Sequence, residues 1–572
     1  MLNIIFSLLL TFSMNAFSKG HHRPRKLVGT LARVDQMANL PGPLQIIDYR
    51  RLAFDFDRIV YDSKQRGDFW PLTWVDTNHN NFPQDIIGIY TTIGDIRQGQ
   101  HNGAAFHEAL TSMGGILSAT LVGIDKSKQD HNYVSMLKNY FNRDTGWNIM
   151  QNNTSPAAGA NGGGYGRDWW YDVYPNLLFW AIYEKYPTED GFDVMARSIA
   201  DKFYEADKIL KGNYQFSFFD YGKMTPETNS ICAQPDVAAG HAYVMYAAYK
   251  KFGDKKYLEG AKSAMKALAS NKINPSYEVL MPFGALMAAR LNAEEGSNID
   301  TRLMLDWTFD GTAVCRQGWG VLADRWNGFD VSGLMGSTVD HGGYGFVMNT
   351  YDLAWPLVPL VRYDQTHAAS IGKWMLNAAN AVRFAYPKYA GVEHQTVPQL
   401  AGLTKDVIAY EGIIKKTSHP EYRRSTRAPV AQGDGPLWIK GNPESTQFSV
   451  YGSAHVGIFG SIIQETNVEG ILKLDTLATD FYRGKAYPTF LYFNPHETEK
   501  SIDMNFADEV DLYDLVRGEF VTRNAKGEIS VKLESLKAMV LVEVPSKGRV
   551  TVDGTKMSVN GVVVDYHYLT KI

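Results

Sequence analysis

Residues 306–352 read DWTFDGTAVCRQGWGVLADRWNGFDVSGLMGSTVDHGGYGFVMNTYD, a stretch with neither a helical nor a strand period. It is dense in Gly, Trp, Asp and Asn, with Arg316, Arg325 and His341 among them. Loops of that composition are where a rigid scaffold presents a site. On both sides lie segments whose apolar residues recur at helical spacing. Upstream these run over 46–62, 103–122, 131–142, the string WWYDVYPNLLFWAIYEKYP from Trp169, 190–209, 236–252, 255–270 and 277–295. Downstream they resume at 351–361, 366–386, 404–416 and 450–465. No strict motif repeats along them, which argues against a solenoid. The pattern predicts a mainly α fold, a closed array of helical hairpins with its long loops gathered at one end.

Composition changes after Pro488. FLYFNP, SIDMNF, VDLYDLV, EISVKL, AMVLVEV, RVTVDG and VVVDYHY are short and β-branched, with turn signals at Lys526-Gly527 and Asp553-Gly554. These strands predict a small antiparallel β-sandwich. The expected plan is a leader at 1–18, a helical domain at 44–484 and the β domain at 485–572.

The chain has 572 residues, 45% hydrophobic and 21% charged, with 12 Trp, 32 Tyr and 28 Phe. Its net charge is −4, and the only basic run is the short HHRPRK near the N-terminus, which excludes the electrostatic footprint of a nucleic-acid binder. Residues 2–13, LNIIFSLLLTFS, followed by small Ala16 and Ser18, have the form of a signal-peptide core without its positive n-region. The chain is therefore expected to be exported, periplasmic or secreted. That run is too short to span a bilayer stably, and no later stretch reaches ~18 apolar residues. Two cysteines, Cys232 and Cys315, suit one disulfide in an exported protein and no structural zinc site.

The Gly run AAGANGGGYGRD (157–168) lacks a Walker pattern and a preceding strand. EF-hand, His-Glu-x-x-His and Gly-x-Ser-x-Gly strings are absent too, so no cofactor and no catalytic metal is expected.

Helical hairpins followed by a β domain resemble the (α/α)-toroid carbohydrate-active enzymes of polysaccharide-degrading bacteria. The strings DWWYDVYPNLLFW (168–180), NPSYEVLMPFGALMAARLNAE (274–294), DHGGYGFVMNTYD (340–352), AYEGI (409–413), YGSAHVGIFG (451–460) and YPTFLYFNP (487–495) carry the resemblance. It implies an (α/α) toroid, expected as six hairpins, with a glycan-binding funnel where the inner-helix loops converge. The same toroid hosts hydrolases and lyases, so residues must decide the chemistry.

Glycoside hydrolysis needs one carboxylic acid to protonate the leaving oxygen and one carboxylate to attack or activate water. Asp340, beside His341 and ahead of Tyr344, and Glu411, expected on the 404–416 helix, are the leading pair. Their apolar surroundings would raise a carboxyl toward the acid role. The plainer readings are a helix N-cap for Asp340 and a buried, hydrogen-bonded carboxylate for Glu411.

Asp168 and Asp172 flank Trp169, Trp170 and Tyr171, a composition suited to gripping a pyranose, although Asp168 also reads as a cap. Trp169, Trp170, Trp319 and Trp326 are the expected sugar platforms. Asp236 reads most simply as a cap or first-turn dipole partner, and Glu278 is a minor candidate.

A rival reading is β-elimination on a uronate-containing glycan. Asn78, His79, His341, Tyr344 and Arg316 would then supply the base and neutralise the acid. Asp76, Asn80 and Asn81 beside them are more simply turn chemistry. His455, among small and apolar residues, reads as a satisfied core histidine. A third reading, from another class, is a non-catalytic glycan-binding protein.

Overall fold

A helix that is apolar on every face needs burial all round, and one with a single stripe needs it on one side. That difference sorts the chain into two layers. The computed structural model describes residues 28–95, 107–154, 167–311, 315–416, 428–432 and 448–568. The leader at 1–18 and nearly all of the Gly run lie outside them.

The helices are α1 (Tyr49–Val60), α2 (Ala109–Leu121), α3 (Trp169–Lys185), α4 (Phe192–Leu210), α5 (Val237–Phe252) and α6 (Lys255–Ala269). They continue as α7 (Met281–Glu295), α8 (Thr301–Asp310), α9 (Val347–Leu360), α10 (Ala368–Ala381) and α11 (Gly457–Ile462). A short helical turn, Val450–Ser453, leads into α11.

Helices α2, α3, α5, α7 and α9 are buried along almost their whole length. Each packs on the next, α9 packs on α11, and α11 returns to α2, which closes a ring. Around it, α1 lies against α11, α4 and α6 against α5, α8 against α7 and α10 against α9. This is a helical toroid followed by a β region. Side-chain caps from Asp48, Asp254 and Asp300 start three of the outer helices.

Two glycines set how closely the ring closes. A Cβ on Gly114 would lie 2.2 Å from His455 Nε2, and one on Gly457 would lie 2.2 Å from the Ser118 carbonyl. His455 enters that contact with Nδ1 facing Asp352 at 2.7 Å and Nε2 facing the Leu110 carbonyl at 3.0 Å. Both ring nitrogens meet acceptors, so the ring is held as imidazolium. Burial opposes the charge, but the Asp352 charge and hydrogen bond, with the Leu110 carbonyl, outweigh it and raise the His455 pKa. A raised folded pKa gives stability that is fully present below the unfolded value of ~6.5 and is lost as pH rises through the folded value. Denaturant unfolding at steps from pH 6 to 9 should show this loss. His455→Phe should flatten the slope, and an unchanged slope would refute the charged state.

One end of the ring is sealed. Arg290 of α7 donates to the Phe481 and Tyr482 carbonyls at 2.9 and 3.0 Å. Glu184 of α3 accepts from the Tyr482 amide at 2.7 Å. Pro359 has no N–H to offer the Trp355 carbonyl, and the Thr479 hydroxyl fills that role at 2.9 Å. All these contacts gather at the C-terminal ends of the inner helices. A site served by this ring therefore belongs at their N-terminal ends.

The stretch 306–352 is not a plain loop. It opens with the second half of α8 and contains the short strands β3 (Trp319–Val321), β4 (Met335–Ser337) and β5 (Tyr344–Phe346). An earlier hairpin, β1 (Thr73–Asp76) and β2 (Ile86–Ile89), precedes them. With β6 (Gly412–Ile414) and β7 (Val430–Gln432) they form one antiparallel sheet in the order β7-β6-β5-β4-β3. No helix forms over 404–416: a 3-10 turn, Pro398–Thr404, ends where it was expected to begin, strand β6 follows, and Glu411 stands ahead of that strand.

The C-terminal sheet has the order β8-β9-β10-β13-β11-β12. Its strands are β8 (Ile463–Glu465), β9 (Leu472–Asp475), β10 (Thr489–Phe493), β11 (Lys500–Asp514), β12 (Glu519–Leu533) and β13 (Ala538–Pro545). Two of them come from ahead of residue 485. A separate three-stranded sheet, Val550–Asp565, follows. Cys232 and Cys315 are joined, with Cα atoms 5.1 Å apart, and tie the segment before α5 to the segment before β3.

Candidate active site

A carboxylate stands just ahead of four inner helices: Glu108 before α2, Asp168 before α3, Asp236 before α5 and Glu278 before α7. The positive ends of the helix dipoles favour negative charge there. Glu108, Asp168 and Asp236 occupy N-cap positions, yet none makes a side-chain capping bond. Their oxygens are used elsewhere. Glu108 accepts from the Thr111 hydroxyl at 2.7 Å, Asp168 from the Gln234 amide, and Asp236 from the Tyr277 main-chain N–H at 2.9 Å.

Glu278 is the most firmly fixed. Its Oε2 accepts from Asn349 Nδ2 at 2.7 Å, and its carbonyl accepts from the Trp319 indole at 3.2 Å. Its backbone sits at φ 53°, a left-handed conformation that is uncommon for a residue with a Cβ.

Three of these groups act on one side chain. The half-buried Tyr171 phenol is held far above its ordinary pKa by burial, and then by the charges of Glu108, Glu278 and Asp168. Burial pushes Asp168 up to about 6; the Gln234 hydrogen bond opposes this and the Asp172 charge adds to it. Burial, then the charge of Glu278, also holds Asp236 well above the carboxylate range. Burial thus raises Asp168 and Asp236, while the charges of Glu108 and Glu278 act on their neighbours, and environments that push carboxyls apart are what separate acid and base roles.

An aromatic wall continues from Glu278. Tyr277 and Trp319 have ring centroids 6.0 Å apart, and Trp319 and Tyr344 are 6.4 Å apart. The Arg316 guanidinium lies 4.7 Å over Trp319 and 5.4 Å over Tyr344, paired with Asp340. The Tyr344 hydroxyl donates to Glu411 Oε1 at 3.2 Å. The structure therefore brings Asp340, Tyr344, Glu411 and Arg316 together. His341 falls in the 3-10 turn Asp340–Gly342, and its side chain lies outside the described part of the molecule.

Several expected binding residues are placed otherwise. Trp169 is 0% exposed, stacked on Tyr214 and Phe219, with its indole on the Tyr221 hydroxyl at 3.1 Å. Trp319 and Trp326 are also fully enclosed, the latter donating to Asp324 at 2.8 Å. All three rings are packing residues with no free face for a sugar.

Trp170 is buried against Tyr171, with centroids 3.9 Å apart. Asp172 is buried and held by both guanidinium arms of Arg167, at 2.7 and 2.9 Å, which gives it a structural partner in place of a ligand. His79 is exposed and pairs with Asp85 at 2.9 Å.

The polar loop from Asp76 to Asn81 docks on His107, whose Nε2 is 3.1 Å from Asp76. Burial outweighs that carboxylate and pulls His107 down to about 4, leaving the ring neutral near pH 7. Glu108, Tyr277 and Asn349 went unnoticed in the sequence, and Glu278 was undervalued there. The signal available was positional: an acidic or amide residue close to the start of an inner helix.

No protein-family model matches the chain, and no curated protein matches it. Among solved structures it is similar to a GH127 β-L-arabinofuranosidase from Geobacillus stearothermophilus T6, at 10% identity and a TM-score of 0.35, covering 91% of this chain and 85% of that one. It is also similar to a mutant of an unsaturated glucuronyl hydrolase from Streptococcus agalactiae, at 12% identity and a TM-score of 0.36, covering 77% and 97%. A further similar structure is described as a glycoside hydrolase, at 10% identity and a TM-score of 0.36, covering 77% and 73%. The toroid itself follows from the packing of this chain's own helices.

Proposed function

We propose that the protein is a glycoside hydrolase that cleaves a glycan at the N-terminal end of the helical ring. The observation that carries this reading is that the charges of Asp168 and Glu278 both bear on the half-buried Tyr171 phenol: burial holds the first carboxyl near pKa 6, and Asn349 pins the second. Asp168 protonates the glycosidic oxygen, and Glu278 acts on the anomeric carbon, directly or through water. Of the residues singled out in the sequence, Asp340, Tyr344 and Glu411 are assigned to the facing wall. There Arg316–Asp340 and Tyr344–Glu411 orient the sugar that leaves. The apolar leader supports action outside the cytoplasm, and the mass of the mature chain checks it.

Incubation with a broad glycan panel, following reducing ends and ultraviolet absorbance together, tests the reaction class. New reducing ends without absorbance support hydrolysis. Absorbance from an unsaturated uronide would replace it with β-elimination, and silence in both would favour a binding protein.

Asp168 works as an acid only while protonated. Activity is therefore expected to fall as pH rises through about 6. The alkaline limb of kcat/KM measures this, and a profile flat from pH 5 to 8 would remove Asp168 from the acid role.

A further inference from the structure

A cavity of about 450 Å³ lies between residues 36–38 and the short hairpin of Arg325–Trp326 with Phe329–Asp330. That volume is within the ~300–1,000 Å³ of ligand sites. Gln36, Met37 and Ala38 form one side, and Asp324, Arg325 and Asp330 form the other. None of the carboxylates at the helix starts lines it.

Both sides are fixed from behind. The Ala38 carbonyl accepts from Asn377 Nδ2 of α10 at 3.0 Å, and a Cβ on Gly333 would lie 2.4 Å from the Ala378 main-chain nitrogen. Helix α10 returns from α9 through a short connection, so these contacts near its C-terminal end place the cavity at the end of the ring where the carboxylates gather. The hairpin turn, Asn327-Gly328, takes φ 48° and 89°, the left-handed pair of a two-residue loop, and sets Arg325 directly opposite Asp330. Opposite residues share a face, and Arg325 Nη1 lies 3.4 Å from Asp330 Oδ2. Asp324 accepts from the Trp326 indole and from Lys415 Nζ, both at 2.8 Å. The Lys415 main-chain N–H donates to the Gly343 carbonyl at 2.9 Å, and Trp326 lies against Gly343. The cavity thus adjoins the wall that carries Tyr344 and Glu411.

Its lining decides what it takes. The Arg325 and Asp324 side chains are 54% and 46% exposed, so a ligand can reach both. A guanidinium only donates, a carboxylate only accepts, and the Gln36 amide does both, whereas each hydroxyl needs a donor and an acceptor. The charges cancel, Arg325 against Asp330 and Lys415 against Asp324, which leaves no net charge to select an anion or a cation. Met37, Ala38 and Ala323 add apolar surface for C–H groups.

We propose that this cavity is a second glycan-binding site, separate from the catalytic floor, which holds a neutral sugar residue. The inference rests on the hydrolase reading only in taking the ligand to be a glycan.

Calorimetric titration of the full chain with maltotriose, cellotriose, xylotriose, mannotriose and arabinotriose, beside trigalacturonic acid and the glucosamine trimer, tests it. At least one neutral trisaccharide is expected to bind, and more tightly than either charged one. Arg325→Met keeps the stem and removes the donors, and should weaken that trisaccharide about 10-fold. Ala323→Leu fills the cavity from a half-exposed position and should weaken it at least as much, while Gln36→Ala should cost about 3-fold.

Near-UV dichroism confirms that each variant is folded, and Ala323→Leu carries the test if Arg325→Met is not. Binding of no neutral trisaccharide, binding that Ala323→Leu leaves within about 3-fold of the parent, or tighter binding of a charged trimer that Ala323→Leu abolishes would overturn the site. Binding sensitive to Ala323→Leu without turnover on any glycan would overturn the hydrolase reading alone. Turnover with binding insensitive to Ala323→Leu would overturn the second site alone.

Discussion

Glu278→Gln is expected to lower kcat by about 10³-fold or more, close to 4 kcal/mol of transition-state stabilisation, in a protein that remains folded. Gln has nearly the shape of Glu and still accepts from Asn349 Nδ2 through its carbonyl, so the loss reports the carboxylate. Glu278 holds its left-handed backbone at φ 53°, a cost of about 1–3 kcal/mol for a residue with a Cβ. Glu278→Gly relieves that cost, so it should lose activity without a matching loss of stability. Asp168→Asn should fall by about 10²- to 10³-fold and lose the alkaline limb near pH 6. Single-turnover rates on the best substrate of the glycan panel measure both. A Glu278→Gln enzyme within about 10-fold of the parent would remove Glu278 from the chemistry.

The ring was legible in the sequence because burial on every face leaves a plain mark. Helix α3 runs WWYDVYPNLLFWAIYEK, apolar nearly throughout, and such a segment has nowhere to go but the inner layer. The short strands of 306–352 left no mark of that kind. Strands of three residues cannot show a period, and the glycines among them serve backbone contact. A Cβ on Gly412 would lie 2.3 Å from the Gly345 carbonyl, so β6 needs glycine where a helix tolerates it poorly. That contact fits a strand, and not the expected helix, directly after Glu411.

The site was less visible than the fold, for a different reason. Asp168 and Asp236 each look like helix caps in isolation. Only closure of the ring, through α11 packing on α2, sets four such residues around one axis. The tryptophans misled in the opposite direction. A large ring favours burial as much as it favours a sugar, and Trp169, Trp319 and Trp326 went to the core.

At the sealed end of the ring, Asp480→Ala is expected to cost about 3–5 kcal/mol of stability. The Asp480 side chain is 0% exposed and accepts from Arg362 and from the Tyr363 hydroxyl at 2.9 Å, with Arg290 at 3.8 Å. Arg290 and Arg362 are themselves buried. Removing the carboxylate would therefore strand the Arg362 guanidinium away from water, while Arg290 keeps Glu294 at 3.7 Å, and that desolvation, not a lost contact, sets the magnitude.

Exposed pairs such as Arg51–Asp55 on α1 carry no such penalty. The triple change Asp480→Leu, Arg290→Met, Arg362→Met removes the charges together and should recover much of the loss, since apolar replacements of buried ion pairs are often neutral. Full recovery is not expected, because Arg290 also holds the Phe481 and Tyr482 carbonyls. Equilibrium denaturation measures each step. Because Asp480 lies at the C-terminal ends of the inner helices and the carboxylates gather at their N-terminal ends, kcat per folded Asp480→Ala molecule should be unchanged. A variant as stable as the parent would refute the electrostatic account of the seal. One that is stable but inactive would show that the two ends of the ring are coupled.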